Sequence, residues 1–113
     1  MKVAIIGSRN LTVDDLTPFL PKSTTEIVSG GAKGIDQCAA RCAYENNIKL
    51  TEFLPQYDLY KKAAPLKRNL EIINYADMVI AFWDGRSKGT KYVIDNSKKA
   101  GKELLVIALP AVN

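Results

Sequence analysis

The chain has 113 residues, of which 47% are hydrophobic and 25% charged, and 16 basic against 12 acidic residues give a formal net charge of +4. This length predicts one globular domain over residues 1–113, with a core that needs no disulfide or metal. The chain contains no histidine, which excludes His-based general base catalysis, Cys–His nucleophile pairs and most zinc sites.

Five apolar runs predict five β-strands. Residues 2–6 form an uninterrupted apolar run that ends at Gly7, a pattern typical of strands covered on both faces. The other predicted strands are 25–28, 48–53, Met78–Trp83 and Glu103–Ala108. No run approaches the ~20 apolar residues of a membrane span, so we expect a cytoplasmic protein without membrane contact.

Helical patterns separate the strands. A short first helix is predicted over 13–19, before Pro21, and a second over about 32–46. The second helix has its apolar side chains on one stripe, which consists of Ile35, Cys38, Ala39, Cys42 and Ala43. Four residues apart on this helix, the two cysteines are expected to be buried, reduced thiols rather than a disulfide.

Two further helices follow in the second half of the chain. The third is marked by Leu66, Leu70, Ile73 and Ala76. A fourth runs past Val93 and ends at Gly101. Residues 54–65 form the one long connection, and long connections in compact domains tend to be functional.

The alternation of strand and helix predicts an α/β fold, a three-layer Rossmann-like sandwich with a mainly parallel five-stranded sheet. Ligands of such sheets bind outside the carboxyl ends of the strands, where the strand order reverses. Gly7, Gly30 and Gly85 each follow a predicted strand. We therefore expect the binding site among these three turns.

The glycine-rich turn at residues 29–36 is suited to binding phosphate. Glycine leaves the backbone accessible, so that N–H groups can reach an anion at the positive end of the following helix. The residues expected to contact phosphate or sugar are Gly30, Gly31, Lys33 and Gly34. Asp36 has two interpretations, since it can bond ribose hydroxyls or simply complement the helix dipole.

A second glycine-rich turn occupies residues 84–90. It lacks the Gly-Lys-Ser/Thr ending of a Walker A loop, and the chain contains no Gly-x-Gly-x-x-Gly, so NTP hydrolysis and standard NAD binding lose support. An anion cradle remains, for which the candidates are Asp84, Gly85, Ser87, Lys88, Gly89 and Thr90. Arg86 and Lys88 are alternatively ordinary solvated cations.

Two further basic positions point toward the same site. Gly7-Ser8-Arg9 ends the first strand, where the guanidinium can bind phosphate; the alternative is a plain turn in which Ser8 caps a helix. Arg68-Asn69 lies within about the first turn of the third helix, where a cation is unfavourable unless an anion is nearby. Trp83 and the tyrosines of the long connection can stack on a base, although an aromatic residue ending a central strand is more often core.

In order and spacing these residues resemble the SLOG superfamily of nucleotide-linked Rossmann-like domains, which includes DprA and the LOG phosphoribohydrolases. The similarity is greatest to the small YAcAr-type branch of bacteria and phages. Its carriers are Gly7-Ser8-Arg9, Gly30 through Asp36, 53–55, 64–65, Arg68-Asn69, Ala76-Asp77 and Gly85 through Thr90. The resemblance implies that both glycine turns hold the phosphate and ribose of a nucleotide derivative, with Arg68 and Asn69 facing the same pocket.

Three functions remain open. The first is binding or sensing of an ADP-ribose, NAD or nucleoside monophosphate type of ligand, without a further cofactor or a metal. The second is N-glycosidic hydrolysis, although the glutamate that follows the LOG turn is missing here and Asp95 is the substitute candidate. The third is single-stranded DNA binding of DprA type through Lys61, Lys62, Lys67 and neighbouring tyrosines. An apolar helix face left over after sheet packing would permit a homodimer.

Overall fold

The computed structural model describes residues 1–110, in which five parallel strands form one sheet. The strands are β1 (Lys2–Gly7), β2 (Glu26–Ser29), β3 (Lys49–Glu52), β4 (Met78–Trp83) and β5 (Glu103–Ala108). The helices are α1 (Ile35–Glu45), α2 (Tyr57–Tyr60), α3 (Ala64–Tyr75) and α4 (Lys88–Lys99), with 3₁₀ turns at Thr17–Phe19 and Lys61–Ala63. The expected α/β class and Rossmann-like parallel sheet are confirmed.

The strand order β3-β2-β1-β4-β5 places β1 at the centre of the sheet. From β1 the chain builds outward to β3 on one side, then crosses back to place β4 against the other side of β1. The strand order therefore reverses at β1 and β4. Open parallel sheets bind ligands outside the carboxyl ends of strands at such a reversal.

Both faces of the central strand are covered, as its continuous apolar run predicts. Val3 and Ile5 pack on one face with α1 and the segment around Leu11, whereas Ala4 and Ile6 pack on the other face with α3 and α4. Neighbouring residues of a strand point to opposite faces, which is why both positions must be apolar here. The two layers of core hold the strand ends, and the turns after them, in fixed positions.

β5 is also an apolar run, but its side chains are not buried on both faces of the sheet. Leu105 is 38% exposed and Val106 is 39% exposed. β5 pairs with β4 alone at the edge of the sheet, so its faces are only partly covered. The composition of an edge strand can thus match that of a central strand while its environment differs.

The predicted helix over 13–19 is wrong. Within this stretch only Thr17–Phe19 forms a single 3₁₀ turn. Pro18 has no N–H to donate and disfavours helical backbone in the residue before it, and seven residues are too few to offset that loss. Leu11 and Leu16 are nevertheless fully buried, so the segment covers the sheet as an irregular layer.

The remaining helix boundaries shift by a few residues. α1 begins at Ile35 rather than at 32, because Gly34 takes a φ of 75° as its N-cap. The long connection contains α2 and a 3₁₀ turn, which the sequence analysis did not predict because the apolar periodicity there is weak.

Across residues 1–110 we find no helix with the length and apolar character needed to cross a membrane.

Candidate functional site

A cleft of about 410 Å³ opens at the carboxyl ends of β1, β2 and β4, where the strand order reverses. Its wall combines turn residues after these strands with residues of α3, of the first turn of α1 and of the first two turns of α4. The lining residues are Ile6, Gly7, Ser8, Arg9, Asn10, Gly30, Ala32, Asp36, Pro65, Arg68, Asn69, Ile72, Ser87, Gly89, Thr90 and Val93. Both glycine-rich turns therefore contribute to one cleft.

The sequence-based candidates divide into two groups. Those that line the cleft are Gly7, Ser8, Arg9, Gly30, Asp36, Arg68, Asn69, Ser87, Gly89 and Thr90. Those outside its lining are Gly31, Lys33, Gly34, Asp84, Gly85 and Lys88. Lys33 and Lys88 are exposed to solvent, so two of the four proposed cations lie away from the cleft wall.

Arg68 is a buried cation whose acceptors are all uncharged. It is only 7% exposed, and its Nη1 donates to the carbonyl oxygens of Gly30 (2.6 Å) and Phe53 (3.3 Å). Its Nε donates to Oδ1 of Asn69 at 2.9 Å. Within residues 1–110 no side chain or carbonyl accepts a bond from Nη2. The guanidinium is thus held rigidly and keeps donor capacity.

Gly30 is required by this arrangement. A Cβ at this position would lie 2.6 Å from Nη1 of Arg68 and 3.0 Å from Oδ2 of Asp36. The sequence interpretation assigned the missing side chain to close approach of a ligand. In the structure the space beside Gly30 is already taken by Arg68 and Asp36.

Asp36 is the one carboxylate among the lining residues, and it is only 7% exposed. Its Oδ2 accepts a hydrogen bond from the Ala32 amide at 3.0 Å, so it closes the first glycine-rich turn. Burial raises the pKa of the Asp36 carboxyl above its usual range, while the Ala32 bond and the positive charge of Arg68 act in the opposite direction. The Asp36 charge in turn opposes the lowering of the Arg68 pKa by burial.

Three hydroxyl groups meet where α4 begins. Oγ1 of Thr90 lies 3.2 Å from Oγ of Ser87 and 3.5 Å from Oγ of Ser8. Ser87 is the N-cap of α4, and its Oγ accepts from the Thr90 amide at 3.3 Å. Ser8 and Thr90 are buried, so the hydroxyl cluster joins the end of β1 to the start of α4. Hydroxyls can both donate and accept, which suits them to phosphate oxygens or sugar hydroxyls.

Several amides of the two turns are bonded to the protein's own side chains, which corrects the expectation of bare backbone. Oδ1 of Asp84 accepts from the amides of Arg86 and Ser87 at 2.8 Å each, and these bonds lower the Asp84 pKa. Asp84 is therefore an internal brace of its turn. The amides of Lys88 and Gly89, in the first turn of α4, have no acceptor among residues 1–110.

Neither the backbone conformation nor a contact within the described residues requires a glycine at position 89. A Cβ there would meet no atom within 4 Å, and its φ is not positive. Gly34 contrasts with it, since its φ is 75° and its Cβ would lie 2.5 Å from the Arg9 carbonyl oxygen. Glycine inside a helix is destabilising by roughly 1 kcal/mol relative to alanine. Gly89 and Arg68 line the same cleft.

Asp95, the candidate catalytic substitute, lies on α4 outside the cleft lining. Its Oδ1 accepts a hydrogen bond from Nζ of Lys91 at 2.7 Å, and this bond lowers the pKa of Asp95.

Trp83 is part of the core rather than a surface for base stacking. Its Nε1 donates to the Ser87 carbonyl, and its ring packs against the core on the α3 and α4 side.

Sequence reasoning missed the apolar part of the cleft wall and one residue with a side-chain amide, Asn10. The lining residues that were not among the site candidates are Ile6, Asn10, Ala32, Pro65, Ile72 and Val93. Ile72 lies one helical turn after Arg68, and that spacing could have found it. Asn10 directly follows the Gly7-Ser8-Arg9 turn, whereas Pro65 and Val93 come from helices whose distance from the turns no local pattern indicates. The cleft thus offers guanidinium, hydroxyl and amide donors beside an apolar wall.

Comparison with known proteins adds a family to this geometry. The model of the family DNA recombination-mediator protein A matches residues 1–57, which include the first glycine-rich turn. The "Gene 61 protein" of Mycobacterium phage D29 is 36% identical over 113 aligned positions, which cover 88% of this chain and 90% of that protein. No solved structure gives a significant match.

Proposed function

Because the chain belongs to the DNA recombination-mediator protein A family, whose model covers the first glycine-rich turn, we propose that its cleft binds a nucleotide-derived ligand through phosphate. The ligand is of the nucleoside monophosphate, ADP-ribose or NAD type. In this proposal, residues 1–113 form one cytoplasmic domain of the SLOG superfamily, in its small YAcAr-type branch.

The observation that carries the proposal is the buried guanidinium of Arg68. Removing a charge from water costs several kcal/mol unless a counter-charge or a full set of hydrogen bonds replaces the water. The three acceptors of Arg68 are uncharged, and the nearby Asp36 charge acts on it without a direct ion pair within 4.0 Å. Nη2 has no acceptor among residues 1–110 and is the accessible part of the guanidinium. An anionic group in the cleft supplies the missing partner, and hydrogen bonds to charged groups contribute about 1.5–3 kcal/mol.

The other lining residues fit a phosphate with an organic group attached. The amides at the start of α4 and the hydroxyls of Ser87 and Thr90 suit the phosphate, since the helix dipole is positive there. Pro65, Ile72 and Val93 offer an apolar surface to a base or sugar. A volume of about 410 Å³ lies in the lower part of the usual range for small-ligand sites, which favours a nucleoside monophosphate over a dinucleotide.

Calorimetry with AMP, ADP-ribose and NAD tests the proposal. We expect Arg68→Met, which keeps the bulk of the side chain but removes its charge, to weaken AMP binding about tenfold to a hundredfold. Arg41→Met on the exposed face of α1 is the matched control and should bind as the wild type does. Circular dichroism verifies that both variants are folded. Equal AMP affinity in folded Arg68→Met and wild type would contradict the proposal.

N-glycosidic hydrolysis is an alternative use of the same cleft, and Asp36 favours it as the one carboxyl group among the lining residues, with a pKa that burial raises. The same AMP incubations, analysed for released free base, separate turnover from binding alone.

Single-stranded DNA binding is a second candidate, favoured by the membership of the chain in the DNA recombination-mediator protein A family. Tyr57, Tyr60, Lys61, Lys62 and Lys67 are all exposed, and Nζ of Lys67 lies 5.8 Å from the centroid of the Tyr60 ring. Aromatic rings beside lysines suit a single strand, because bases stack and phosphates are neutralised.

A further inference from the structure

Residues 54–63, which connect β3 to α3, cover little of the core. Pro55 is half-buried and the other nine residues are exposed, although several of them are large and apolar. Leu54 is 63% exposed, Tyr57 is 55% exposed and Leu59 is 69% exposed. A segment with so few buried contacts opens at a low free-energy cost compared with the core of the protein.

Both ends of this segment lie at the cleft. Just before it, the Phe53 carbonyl accepts a hydrogen bond from Nη1 of Arg68. The Leu54 side chain covers the first glycine-rich turn, where its Cδ2 lies 2.7 Å from the position of a Cβ at Gly31. Just after the segment, Pro65 lines the cleft. The chain therefore leaves the cleft wall, crosses an exposed stretch and returns to the same wall.

The helical turn α2 in the middle of the segment is hydrogen-bonded within the segment. The amides of Leu59 and Tyr60 both donate to the Gln56 carbonyl. No ion pair found among residues 1–110 includes a side chain of the segment. α2 can therefore move as a unit, since its own backbone bonds move with it.

Lys61, directly after α2, has a backbone conformation that favours glycine. Its φ is 52° and its ψ is −126°, which lies outside the regions allowed to residues with a side chain. The other positive φ outside glycine within residues 1–110 belongs to Asn47, a residue type that tolerates it. Strained residues of this kind cluster at ligand-binding and switching segments. A change of φ and ψ at Lys61 would reorient α2 relative to α3.

Tyr57, the first residue of α2, lies near the guanidinium of Arg68. Burial lowers the pKa of Arg68, whereas the charge of Asp36 and that of an ionised Tyr57 phenol raise it. Only a group close to the guanidinium has this effect. Tyr57 is nevertheless more than half exposed and is not among the residues that line the cleft. Its ring is thus beside the site without covering it.

We propose that residues 54–63 form a lid, which turns about Lys61 to close over the bound ligand and brings the Tyr57 ring against the organic group of that ligand. The inference rests on the nucleotide-derived ligand proposed above. Closure buries apolar side chains that the open lid leaves in water, and it releases the strain at Lys61. A closed lid also excludes water, which strengthens the attraction between phosphate and Arg68.

The hinge is tested by a glycine at position 61. Glycine adopts the observed conformation of Lys61 without strain, so Lys61→Gly stabilises the open lid. In calorimetry this variant should raise the Kd for AMP about threefold to tenfold. Lys62→Gly is the matched control, because it removes the same charge and adds a glycine where φ is not positive. It should weaken AMP binding less, and an equal effect of the two variants would refute a hinge at Lys61.

The role of the Tyr57 ring is tested by comparing a ligand that has a base with one that lacks it. Tyr57→Ala should weaken AMP binding about tenfold, because a base loses its stacking partner, and Tyr57→Phe should retain the affinity. Ribose 5-phosphate should bind Tyr57→Ala as it binds the wild type. Tyr44→Ala, which removes an exposed tyrosine of α1, is the control. Equal losses for AMP and ribose 5-phosphate would mean that Tyr57 does not cover the base.

Limited digestion with trypsin reports the closure itself, since the lid contains Lys61 and Lys62. Saturating AMP should slow cleavage after these lysines more than cleavage after Lys98 and Lys99, which are exposed at the end of α4. If AMP binds and cleavage of the lid is not slowed selectively, the lid is wrong and the proposed ligand stands. If neither AMP nor ADP-ribose nor NAD binds, both proposals are wrong.

Discussion

At the scale of single residues, the glycines separate into those that the protein itself requires and one that it does not. Gly30 leaves room for Arg68 and Asp36, and Gly34 combines positive φ with contact to the Arg9 backbone. Gly89 has neither reason, because its φ is not positive and nothing lies within 4 Å of its absent Cβ. Because Gly89 lines the cleft, we infer that a bound ligand occupies the position that a side chain would take there.

We therefore expect Gly89→Ala to stabilise the unliganded protein by less than the roughly 0.5–1 kcal/mol of a mid-helix position, because Gly89 lies in the first turn of α4, while weakening AMP binding by crowding the phosphate. Urea unfolding and calorimetry measure the two effects. Gly34→Ala is the contrasting variant and should be destabilised. Gly89→Ala with unchanged AMP affinity would show that the space over Gly89 is not part of the site.

At the scale of elements, Glu26 links β2 to β3 and to the end of α3. It is 8% exposed, and its Oε2 accepts from Tyr75 Oη at 2.5 Å and from Thr51 Oγ1 at 2.7 Å. These hydrogen bonds lower the pKa of Glu26, the Tyr75 bond most, and burial opposes them. This contact fixes the last residue of α3, the helix whose earlier residues, Arg68 among them, line the cleft.

The direction of the Glu26 shift predicts how stability depends on pH. A carboxyl whose pKa is lower folded than unfolded contributes stability that is present above its unfolded pKa and is lost as pH falls through the folded value. Urea unfolding at pH 7 and at about pH 3 should therefore show a smaller acid loss in Glu26→Gln than in the wild type. Glu103→Gln, an exposed glutamate that starts β5, is the control. An unaltered acid loss in Glu26→Gln would mean that other carboxyls dominate.

At the scale of the whole molecule, α3 carries Arg68 and Ile72 to the cleft on one side, while Leu66 and Leu70 on its other side are exposed. The net charge of +4 is modest, and part of it lies in the exposed lysines around α2. The salt dependence of nucleic acid affinity tests whether those lysines contact phosphate, because contacts to phosphate release counterions.

If single-stranded DNA is bound there, affinity for a thymidine oligonucleotide should fall steeply with salt, with a slope of about −0.7 per phosphate contacted. Lys61→Ala/Lys62→Ala should reduce that slope by about 1.4. Lys98→Ala/Lys99→Ala, in the last turn of α4, removes the same charge elsewhere and should leave the slope nearer the wild-type value. A flat salt profile would reject this function and leave the cleft proposal intact.

The amino-acid sequence by itself determined the five strands, the three main helices, the parallel sheet and the placement of the glycine turns at its carboxyl edge. These follow from apolar periodicity and from glycine positions, which act over a few residues. The helix predicted over 13–19 from this local pattern does not form, because Pro18 interrupts it.

Only the tertiary structure decided what the polar side chains contact. Arg68 reaches the carbonyl of Gly30 across 38 positions, and Ser8 meets Thr90 across 82. Asp84 turned out to brace its own turn, and Asp95 to pair with Lys91 outside the cleft. Such contacts depend on how helices cross the sheet, since a side chain's partners are set by elements that are distant along the chain and adjacent only after packing.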